Sequence, residues 1–164
     1  MKPPIGIVSD THDNEDSVAE AVRILRDRGV EDLIHCGDVI TASTLQLFSG
    51  FRLRVCLGNN DSARELSAAA ERVGGAFAER LDVEIGGKRF FVAHGDREGP
   101  LEKAVSSGEF DYVLYGHSHR RDDRRFGRTR LINPGALYRA ATHTFALLDL
   151  ATDRLESIEV TKNA

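Results

Sequence analysis

The chain has 164 residues, of which 41% are hydrophobic and 29% are charged, values that are ordinary for a globular domain in water. This length predicts one domain, residues 1–164, with a core large enough to need no disulfide or structural metal. Two cysteines are too few for a disulfide framework, and no apolar run approaches a membrane span. The formal net charge of −4 disfavours a general nucleic-acid coat. Because no signal-peptide pattern is present, we expect a cytoplasmic protein.

The first half of the chain alternates predicted strands and helices. Apolar runs at residues 4–9, 33–36 and 51–57 are typical of short buried strands. Each run precedes a segment that favours a helix, and the first such segment carries apolar residues at helical spacing from Val18 to Leu25. Three strand–helix units in succession favour a parallel sheet with right-handed crossovers.

Acidic and hydroxyl side chains mark the starts of two of these helices. Asp13, Glu15 and Asp16 are expected to fill the first turn of the first helix, where carboxylates favour the positive end of the helix dipole. Ser62 and Glu65 have the spacing of a capping box, in which each side chain bonds to the other residue's backbone N–H. We therefore expect the third helix to begin just after Ser62.

The second half of the chain changes to hairpin patterns. Gly86 and Gly87 separate two short apolar runs, which predicts a two-residue β-hairpin turn. A short helix is expected between Pro100 and Gly108. Further strands are predicted at 112–115, 121–126, 129–132, 144–150 and 154–160. The simplest architecture is one α/β domain with a parallel half and an antiparallel half, built as two sheets packed face to face with helices outside.

Five apolar runs end in side chains of the kind that bind metal ions. In chain order these side chains are Asp10, His12, Asp38, Asn59, His94, His117 and His119. Open α/β sheets bind ligands beyond the carboxyl ends of their strands, so the seven are expected to converge. The set is too large for one tetrahedral zinc and lacks the thiolates of a structural zinc site. It suits two cations that share a bridging carboxylate, an arrangement used for phosphoester hydrolysis.

The motifs Asp-x-His, Gly-Asp, Gly-Asn-x-Asp, His-Gly and Gly-His-x-His occur in this order between residue 5 and about residue 136. This series resembles the calcineurin-like metallophosphoesterase superfamily, and most closely its small bacterial and archaeal phosphodiesterase branch. The resemblance implies an α/β fold, a four-layer α/β/β/α sandwich of two mixed sheets flanked by helices. It also implies that one metal is held by Asp10, His12 and His119, that the other is held by Asn59, His94 and His117, and that Asp38 bridges them.

The donor types and the resemblance together indicate the cofactor and the reaction. Two divalent metal ions are expected, with Mn²⁺ favoured and Fe, Zn²⁺, Ni²⁺ or Mg²⁺ as alternatives. The reaction implied is in-line attack on phosphorus by a hydroxide that bridges the metals, without a covalent enzyme intermediate. Because histidine ligands must be neutral, metal affinity and activity are expected to fall below about pH 6.

The sequence departs from the family pattern at two places. Many phosphatases of the superfamily carry His directly after the metal-binding Asn, whereas this chain has Asn60, which we assign to substrate binding with Arg64. Without that acid, leaving groups that need little protonation are favoured. Asp61 is the candidate catalytic residue, and it either assists the leaving group or orients a neighbouring ligand. The segment 133–136 ends in Ala136, where the family's Asn-Pro-Gly-Ser segment has Ser.

The predicted function is a dimetal-dependent phosphodiesterase that acts on a small phosphoester, with nucleotides among the candidates. One alternative is a phosphomonoesterase or protein phosphatase with the same site. The other is a non-catalytic scaffold that resembles a retromer subunit, which the intact ligand set disfavours. No membrane partner is expected, nucleic acid is disfavoured as a partner, and the oligomeric state stays open.

Six arginines follow the last metal motif and allow two interpretations. They are Arg120, Arg121, Arg124, Arg125, Arg128 and Arg130. A solvated edge hairpin, in which charge prevents edge-to-edge pairing, is favoured over a phosphate-attracting rim. His35, inside the second predicted strand, is expected to be a packed or supporting imidazole rather than a metal ligand.

Overall fold

Residues 2–161 are described by the computed structural model, and they form two mixed β-sheets packed face to face between layers of helix. The helices are α1 (Glu15–Asp27), α2 (Ala42–Gln46), α3 (Ala63–Arg72) and α4 (Pro100–Ser107). The strands are β1 (Ile5–Val8), β2 (Asp32–His35), β3 (Arg52–Cys56), β4 (Ala76–Ala78), β5 (Leu81–Ile85), β6 (Lys88–Val92), β7 (Tyr112–Leu114), β8 (Arg121–Phe126), β9 (Thr129–Pro134), β10 (Thr144–Asp149) and β11 (Arg154–Glu159).

The first sheet has the strand order β11-β10-β1-β2-β3-β4. Strands β1 to β4 are parallel to one another, as the three strand–helix units predict. On its other side β1 pairs antiparallel with β10, so that Ile5 lies opposite Leu148. The strand β4 was not predicted from the sequence. It has only three residues at the edge of the sheet, too few to show a strand pattern.

The second sheet has the strand order β5-β6-β7-β9-β8. Its middle strands β6, β7 and β9 are parallel, and only the edge strands β5 and β8 run antiparallel. The expectation of an antiparallel second half is therefore wrong for these three strands. Helix α4 carries the chain from β6 back to the start of β7, and β8 is the first arm of a hairpin with β9, so both connections allow parallel neighbours.

Three apolar layers hold the sandwich together, which confirms the four-layer α/β/β/α arrangement. The inter-sheet core contains Ile7 and Ile34 of the first sheet against Phe90 and Leu114 of the second, all fully buried. On the outer face of the first sheet, α1 buries the predicted stripe from Val18 to Leu25. On the outer face of the second sheet, α4 packs through Ala104. Each fully buried large side chain contributes about 1.5–3 kcal/mol of transfer free energy.

The contacts at two of the predicted helix starts differ from those expected, although α3 begins directly after Ser62 as predicted. Asp13 lies before α1 with φ of 57°, and its carboxylate accepts hydrogen bonds from the hydroxyls of Thr41 and Thr44, each at 2.7 Å. Only half of the capping box forms, since Ser62 Oγ accepts from the Glu65 N–H at 3.3 Å. The Glu65 carboxylate instead accepts from the N–H of Ala42 at 3.0 Å. Both carboxylates thus tie α2 to its neighbours in space.

None of the helices in residues 2–161 combines the length and the apolar character that a membrane crossing requires.

Candidate metal centre

The seven predicted metal ligands follow the carboxyl ends of five strands. β1, β2 and β3 are adjacent in the first sheet, and β6 and β7 are adjacent in the second. We call the five segments that follow them the ligand loops, which are residues 9–13, 36–40, 57–61, 93–95 and 115–119. Because the two sheets pack face to face, the loops of both sheets meet at one edge of the sandwich.

One group of potential ligands consists of Asp10, His12 and His119, whose ligand atoms all lie within 4.8 Å of one another. Asp10 Oδ1 is 3.5 Å from His12 Nε2 and 3.3 Å from His119 Nε2. The rings of His12 and His119 have centroids 5.2 Å apart. These are the three residues that the sequence assigns to the first metal.

A second group consists of Asp10, Asp38 and His94, again within 4.8 Å. Asp38 Oδ2 lies 3.3 Å from the Nε2 atoms of both His12 and His94. A single carboxylate oxygen is therefore equidistant from one imidazole of each predicted metal set, as the bridging position requires. Asp10 Oδ1 also approaches His94 Nε2, at 3.8 Å.

The two other predicted ligands lie beside His94. The rings of His94 and His117 meet edge to face with centroids 5.2 Å apart. The backbone N–H of His117 donates to Asp10 Oδ2 at 3.0 Å, which ties the β7 loop to the β1 loop. Asn59 is exposed and lines a small cavity together with His94. Its role as a ligand stays a prediction.

The donor atoms that face one another fit a cation. Three buried polar atoms have no hydrogen-bond partner among the described residues, namely Asp10 Oδ1, His12 Nε2 and His94 Nε2. A buried carboxylate oxygen and two imidazole nitrogens left unpaired cost free energy unless a positive ion satisfies them. Mixed oxygen and nitrogen donors of this kind suit divalent transition metals.

Hydrogen bonds behind two of the histidines fix which ring nitrogen faces the site. His94 Nδ1 lies 2.8 Å from the Cys36 carbonyl oxygen, and His119 Nδ1 lies 3.3 Å from the Arg139 carbonyl oxygen. A carbonyl only accepts, so each Nδ1 carries the proton and each Nε2 presents its lone pair. Metal-binding histidines characteristically donate their second ring N–H in this way.

The carboxylates change the protonation of the site strongly. Burial opposes charge on Asp38, but His12, His94 and the N–H of Asn60 outweigh it and hold the pKa of Asp38 well below its ordinary value. Burial also lowers the pKa of His12, but Asp10 and Asp38 outweigh it and raise that pKa to about 9. A cation bound here would displace that proton, so metal affinity is expected to weaken as the pH falls.

The ligand loops contain strained backbone. Five of the seven predicted ligands have φ between 42° and 66°, in the left-handed region, namely Asp10, His12, Asp38, His117 and His119. Such residues cost roughly 1–3 kcal/mol each and persist only where surrounding contacts hold them. Two glycines allow the loops to pass each other, since a Cβ on Gly58 would lie 2.1 Å from Asp38 Oδ1 and one on Gly116 would lie 2.5 Å from Asp10 Oδ2.

Asp61, the predicted catalytic residue, holds the loops in place. Its two carboxylate oxygens accept from the N–H groups of Asp38 at 2.8 Å, Ile40 at 2.9 Å and Gly58 at 2.9 Å. Burial raises the pKa of Asp61 above its usual value. Of the two roles considered for Asp61, this geometry favours orienting the neighbouring ligand Asp38.

The two predicted substrate residues have different surroundings. Asn60 donates both its backbone N–H and its side-chain N–H to the carboxylate of Asp38, at 2.9 and 3.0 Å. Arg64 is exposed in the first turn of α3. Neither assignment to substrate is tested by these contacts, and both stay predictions.

His35 is a fully buried supporting residue, as expected. Its Nδ1 accepts from the Gly37 N–H at 3.1 Å, so its Nε2 carries the proton and donates to Thr11 Oγ1, also at 3.1 Å. Burial lowers the pKa of His35 to about 3, and the ring therefore stays neutral. It joins the loop after β1 to the loop after β2 from inside the protein.

Tyr138 and Arg139 belong to the site but were not identified from the sequence. Tyr138 stacks on His12 with ring centroids 4.8 Å apart, and Arg139 accepts from His119 through its carbonyl. The nearby Asn133 donates to the Gly116 carbonyl at 3.0 Å and so supports the β7 loop. The Asn-Pro-Gly segment that precedes Tyr138 was the available signal, but it does not show which later side chains turn back to the histidines.

Two open cavities flank the ligands. The small cavity, of about 220 Å³, lies beside His94 and is also lined by Asn59, Arg80 and Arg97. The large one, of about 900 Å³, begins at His119, which belongs to the other predicted metal set, and is lined by residues of β8 in the second sheet and β11 in the first. The candidate site is thus bordered by two cavities of different volume.

A family model of the calcineurin-like phosphoesterase superfamily domain matches residues 4–153. The chain is 34% identical over 163 residues to a phosphodiesterase of Methanocaldococcus jannaschii, which covers 95% of this chain and 97% of that one. A solved structure described as a novel archaeal phosphodiesterase has a TM-score of 0.90 and 32% identity, and the match covers 95% of this chain and 99% of that one.

A structure of Vps29 from Entamoeba histolytica, solved with Zn²⁺, has a TM-score of 0.65 at 15% identity, with 96% of this chain and 99% of that one covered. At this identity the likeness is one of fold alone.

Proposed function

The chain belongs to the calcineurin-like phosphoesterase superfamily and is a phosphoric ester hydrolase, and from this premise we propose that it is a dimetal phosphodiesterase. The observation that carries the proposal is the position of Asp38, whose Oδ2 lies 3.3 Å from both His12 Nε2 and His94 Nε2. One carboxylate shared by two imidazole-bearing sets is the arrangement of a two-metal site.

In this proposal, Asp10, His12 and His119 hold one divalent cation, Asn59, His94 and His117 hold the other, and Asp38 touches both. When bound, the two cations supply an activated water at neutral pH and neutralise the charge that develops on the phosphoryl oxygens. The favoured metal is Mn²⁺. The histidine tautomers fixed by Cys36 and Arg139 support this assignment, because they leave Nε2 lone pairs facing the carboxylates.

The chain's own residues orient the site rather than transfer protons. Asp61 and Asn60 fix Asp38 from two sides, by its backbone and by its carboxylate. Neither Asn60 nor an anchored Asp61 is a good acid for a poor leaving group. This supports diesters with good leaving groups as substrates over alkyl phosphomonoesters, and it disfavours the protein-phosphatase alternative.

The direct test uses protein stripped of metal with a chelator and then supplied with Mn²⁺. Bis(p-nitrophenyl) phosphate is expected to be hydrolysed, and p-nitrophenyl phosphate is expected to be hydrolysed more slowly at equal concentration. The variant Asp38→Ala is expected to lower the rate to that of Mn²⁺ in buffer while the circular dichroism spectrum is retained. The matched control is Asp27→Ala, which removes a carboxylate exposed on α1 and is expected to keep full activity.

Absence of metal-dependent turnover of either ester by the folded protein would overturn the proposal and favour the scaffold. A faster rate on the monoester would favour the phosphomonoesterase. The cytoplasm remains the proposed location, supported by Cys36 and Cys56, which are both free and buried.

A further inference from the structure

The large cavity that begins at His119 is a basic groove. Its arginines are Arg120 and Arg121, next to the β7 ligand loop, and Arg139, whose carbonyl accepts from His119. Its volume of about 900 Å³ is within the range of small-molecule sites. A ligand in this groove therefore lies directly beside the metal centre.

The six arginines of the β8–β9 hairpin divide into two sets. Four are paired with carboxylates: Arg124 with Asp122, Arg125 with Asp153, Arg128 with Asp111, and Arg130 with Asp123 and Asp153. The pairs with Asp111 and Asp153 tie the hairpin to other parts of the protein, and the pairs with Asp122 and Asp123 lie within the hairpin itself. The two carboxylates that line the groove, on Asp122 and Asp123, are among those already neutralised.

The other set consists of Arg120 and Arg121, which line the groove together with Arg139, a residue from outside the hairpin. Within residues 2–161, no carboxylate lies within ion-pair distance of Arg120, Arg121 or Arg139. Arg121 donates only to the neutral hydroxyl of Ser157, at 3.3 Å, and the Arg139 guanidinium lies over the Tyr138 ring. Three guanidinium groups without a carboxylate partner around one groove attract an anion, and the planar fork of a guanidinium group suits a phosphate.

The small cavity on the other side of the metal centre has a different charge balance. Its arginines, Arg80 and Arg97, both lie near Glu79, at 3.9 and 3.7 Å, and Asp61 and Asp96 also line it. Its volume of about 220 Å³ holds only a small group. The two substituents of a bound diester thus meet unlike surroundings.

We propose that the basic groove binds a second phosphate group, carried by the larger substituent of the phosphodiester substrate, through Arg120, Arg121 and Arg139. The substrate class is then a small nucleotide-like diester with a further phosphate, and the smaller substituent lies on the His94 side. The inference rests on the proposed function, because the scissile phosphate is taken to lie at the metal centre.

A matched pair of chromogenic substrates tests this. One is the p-nitrophenyl ester of thymidine 5′-phosphate, and the other is the same ester with an added 3′-phosphate. In both, water adds to the 5′-phosphorus, the bond from phosphorus to the nitrophenyl oxygen breaks, and p-nitrophenolate leaves. The Mn²⁺-loaded protein is expected to show a KM about tenfold lower for the 3′-phosphorylated ester, with a similar kcat.

The following variants distinguish binding in the groove from a general effect of positive charge on the hairpin. Arg121→Gln and Arg139→Gln are each expected to reduce the preference severalfold, and the double variant is expected to remove it. Arg125→Gln and Arg128→Gln remove the same charge from the same hairpin but from arginines paired outside the groove, and they are expected to keep the preference. Calorimetric binding of thymidine 3′,5′-bisphosphate against thymidine 5′-phosphate gives a second readout that needs no turnover.

The outcomes distinguish the two claims. Equal KM values for both esters in the wild-type protein, or a preference lost equally in the Arg125 and Arg128 variants, would overturn the groove assignment and leave the phosphodiesterase standing. Binding that prefers the bisphosphate and depends on Arg121 and Arg139, in protein that hydrolyses neither ester, would support the groove and refute the phosphodiesterase. Equal binding of both nucleotides without turnover would refute both.

Discussion

The ligand loops and the inter-sheet core are built in opposite ways. In the core, Phe90 and Leu114 face Ile7 and Ile34 on regular strands, fully buried and without polar atoms to satisfy. In the ligand loops, five predicted ligands with left-handed backbone and three unpaired buried polar atoms lie a few residues beyond the ends of these and neighbouring strands. Burial of the core stabilises the fold. The strained backbone and unpaired polar atoms of the loops offset part of that stabilisation, and they hold the donor atoms close to one another.

This contrast predicts that core substitutions reduce stability and that loop substitutions reduce activity. The largest expected effect is on stability, for Phe90→Ala. Phe90 is fully buried and stacks on Tyr112 with centroids 4.9 Å apart, so its removal should cost about 3–5 kcal/mol in urea unfolding. The matched control, Phe126→Ala, removes a ring that is 44% exposed and should cost under about 0.5 kcal/mol. Similar losses for the two variants would break the contrast.

The next effect is on activity, for Gly58→Ala. A methyl group there would lie 2.1 Å from Asp38 Oδ1, so the carboxylate that we propose as the bridge must move. Displacement of a reacting geometry by about 1 Å costs about a hundredfold in rate, which kcat/KM on a diester would measure. Gly74→Ala is the control, because a methyl group on Gly74 would meet open space, and only the positive φ of 71° disfavours alanine there. It should lose some stability and no activity, and equal losses of activity in both variants would refute the steric argument.

His35 should make stability depend on pH, because its folded pKa of about 3 lies below the ordinary value of a histidine. The unfolded chain takes up a proton below about pH 6.5 that the folded chain refuses, so stability decreases as pH falls through that value. Between pH 6.5 and 5 the wild-type protein should lose about 2 kcal/mol relative to His35→Gln. Parallel stability curves of the two proteins from urea titrations would contradict the buried neutral imidazole.

The smallest effect is expected for Asp61→Asn, which separates anchoring from acid catalysis. Asp61 accepts through two oxygens from the loops that contain Asp38 and Gly58, and asparagine keeps only one acceptor oxygen. Because part of the anchoring is lost, the rate should fall about tenfold. An anchor affects all diesters alike, and aryl diesters with leaving groups of different pKa should therefore slow equally. A loss that grows with the pKa of the leaving group would restore Asp61 as the acid.

The sequence predicted the strand ends and their ligands because these depend on local signals. An apolar run that stops beside glycine and an imidazole, as at His94, needs no knowledge of the rest of the fold. The ligand atoms of Asp10, His12 and His119 lie together as one predicted set, whereas the second group joins His94 to Asp10 and Asp38, so the full assignment of ligands stays a prediction.

Contacts set by placement in space could not be predicted in this way. Asp13 was expected in a helix but accepts from Thr41 and Thr44, and Glu65 was expected to close a capping box but accepts from Ala42. Which arginines are paired with carboxylates could not be predicted either, because Asp111 and Asp153 come from other parts of the chain. In each case the hydrogen-bond or ion-pair partner lies far away in the sequence.

The position of β1 also has a consequence for how the protein is made. Its neighbour β2 is the next strand along the chain, whereas its other neighbour, β10, is the second to last. During synthesis β1 therefore keeps one open edge, available to other chains, until the chain has been translated through β10, which ends at Asp149. The segment that leads to β10 also closes over the first ligand loop, since Leu137 donates to the Asp10 carbonyl at 3.2 Å. Sealing that edge and completing the surroundings of Asp10 are thus coupled late steps of folding.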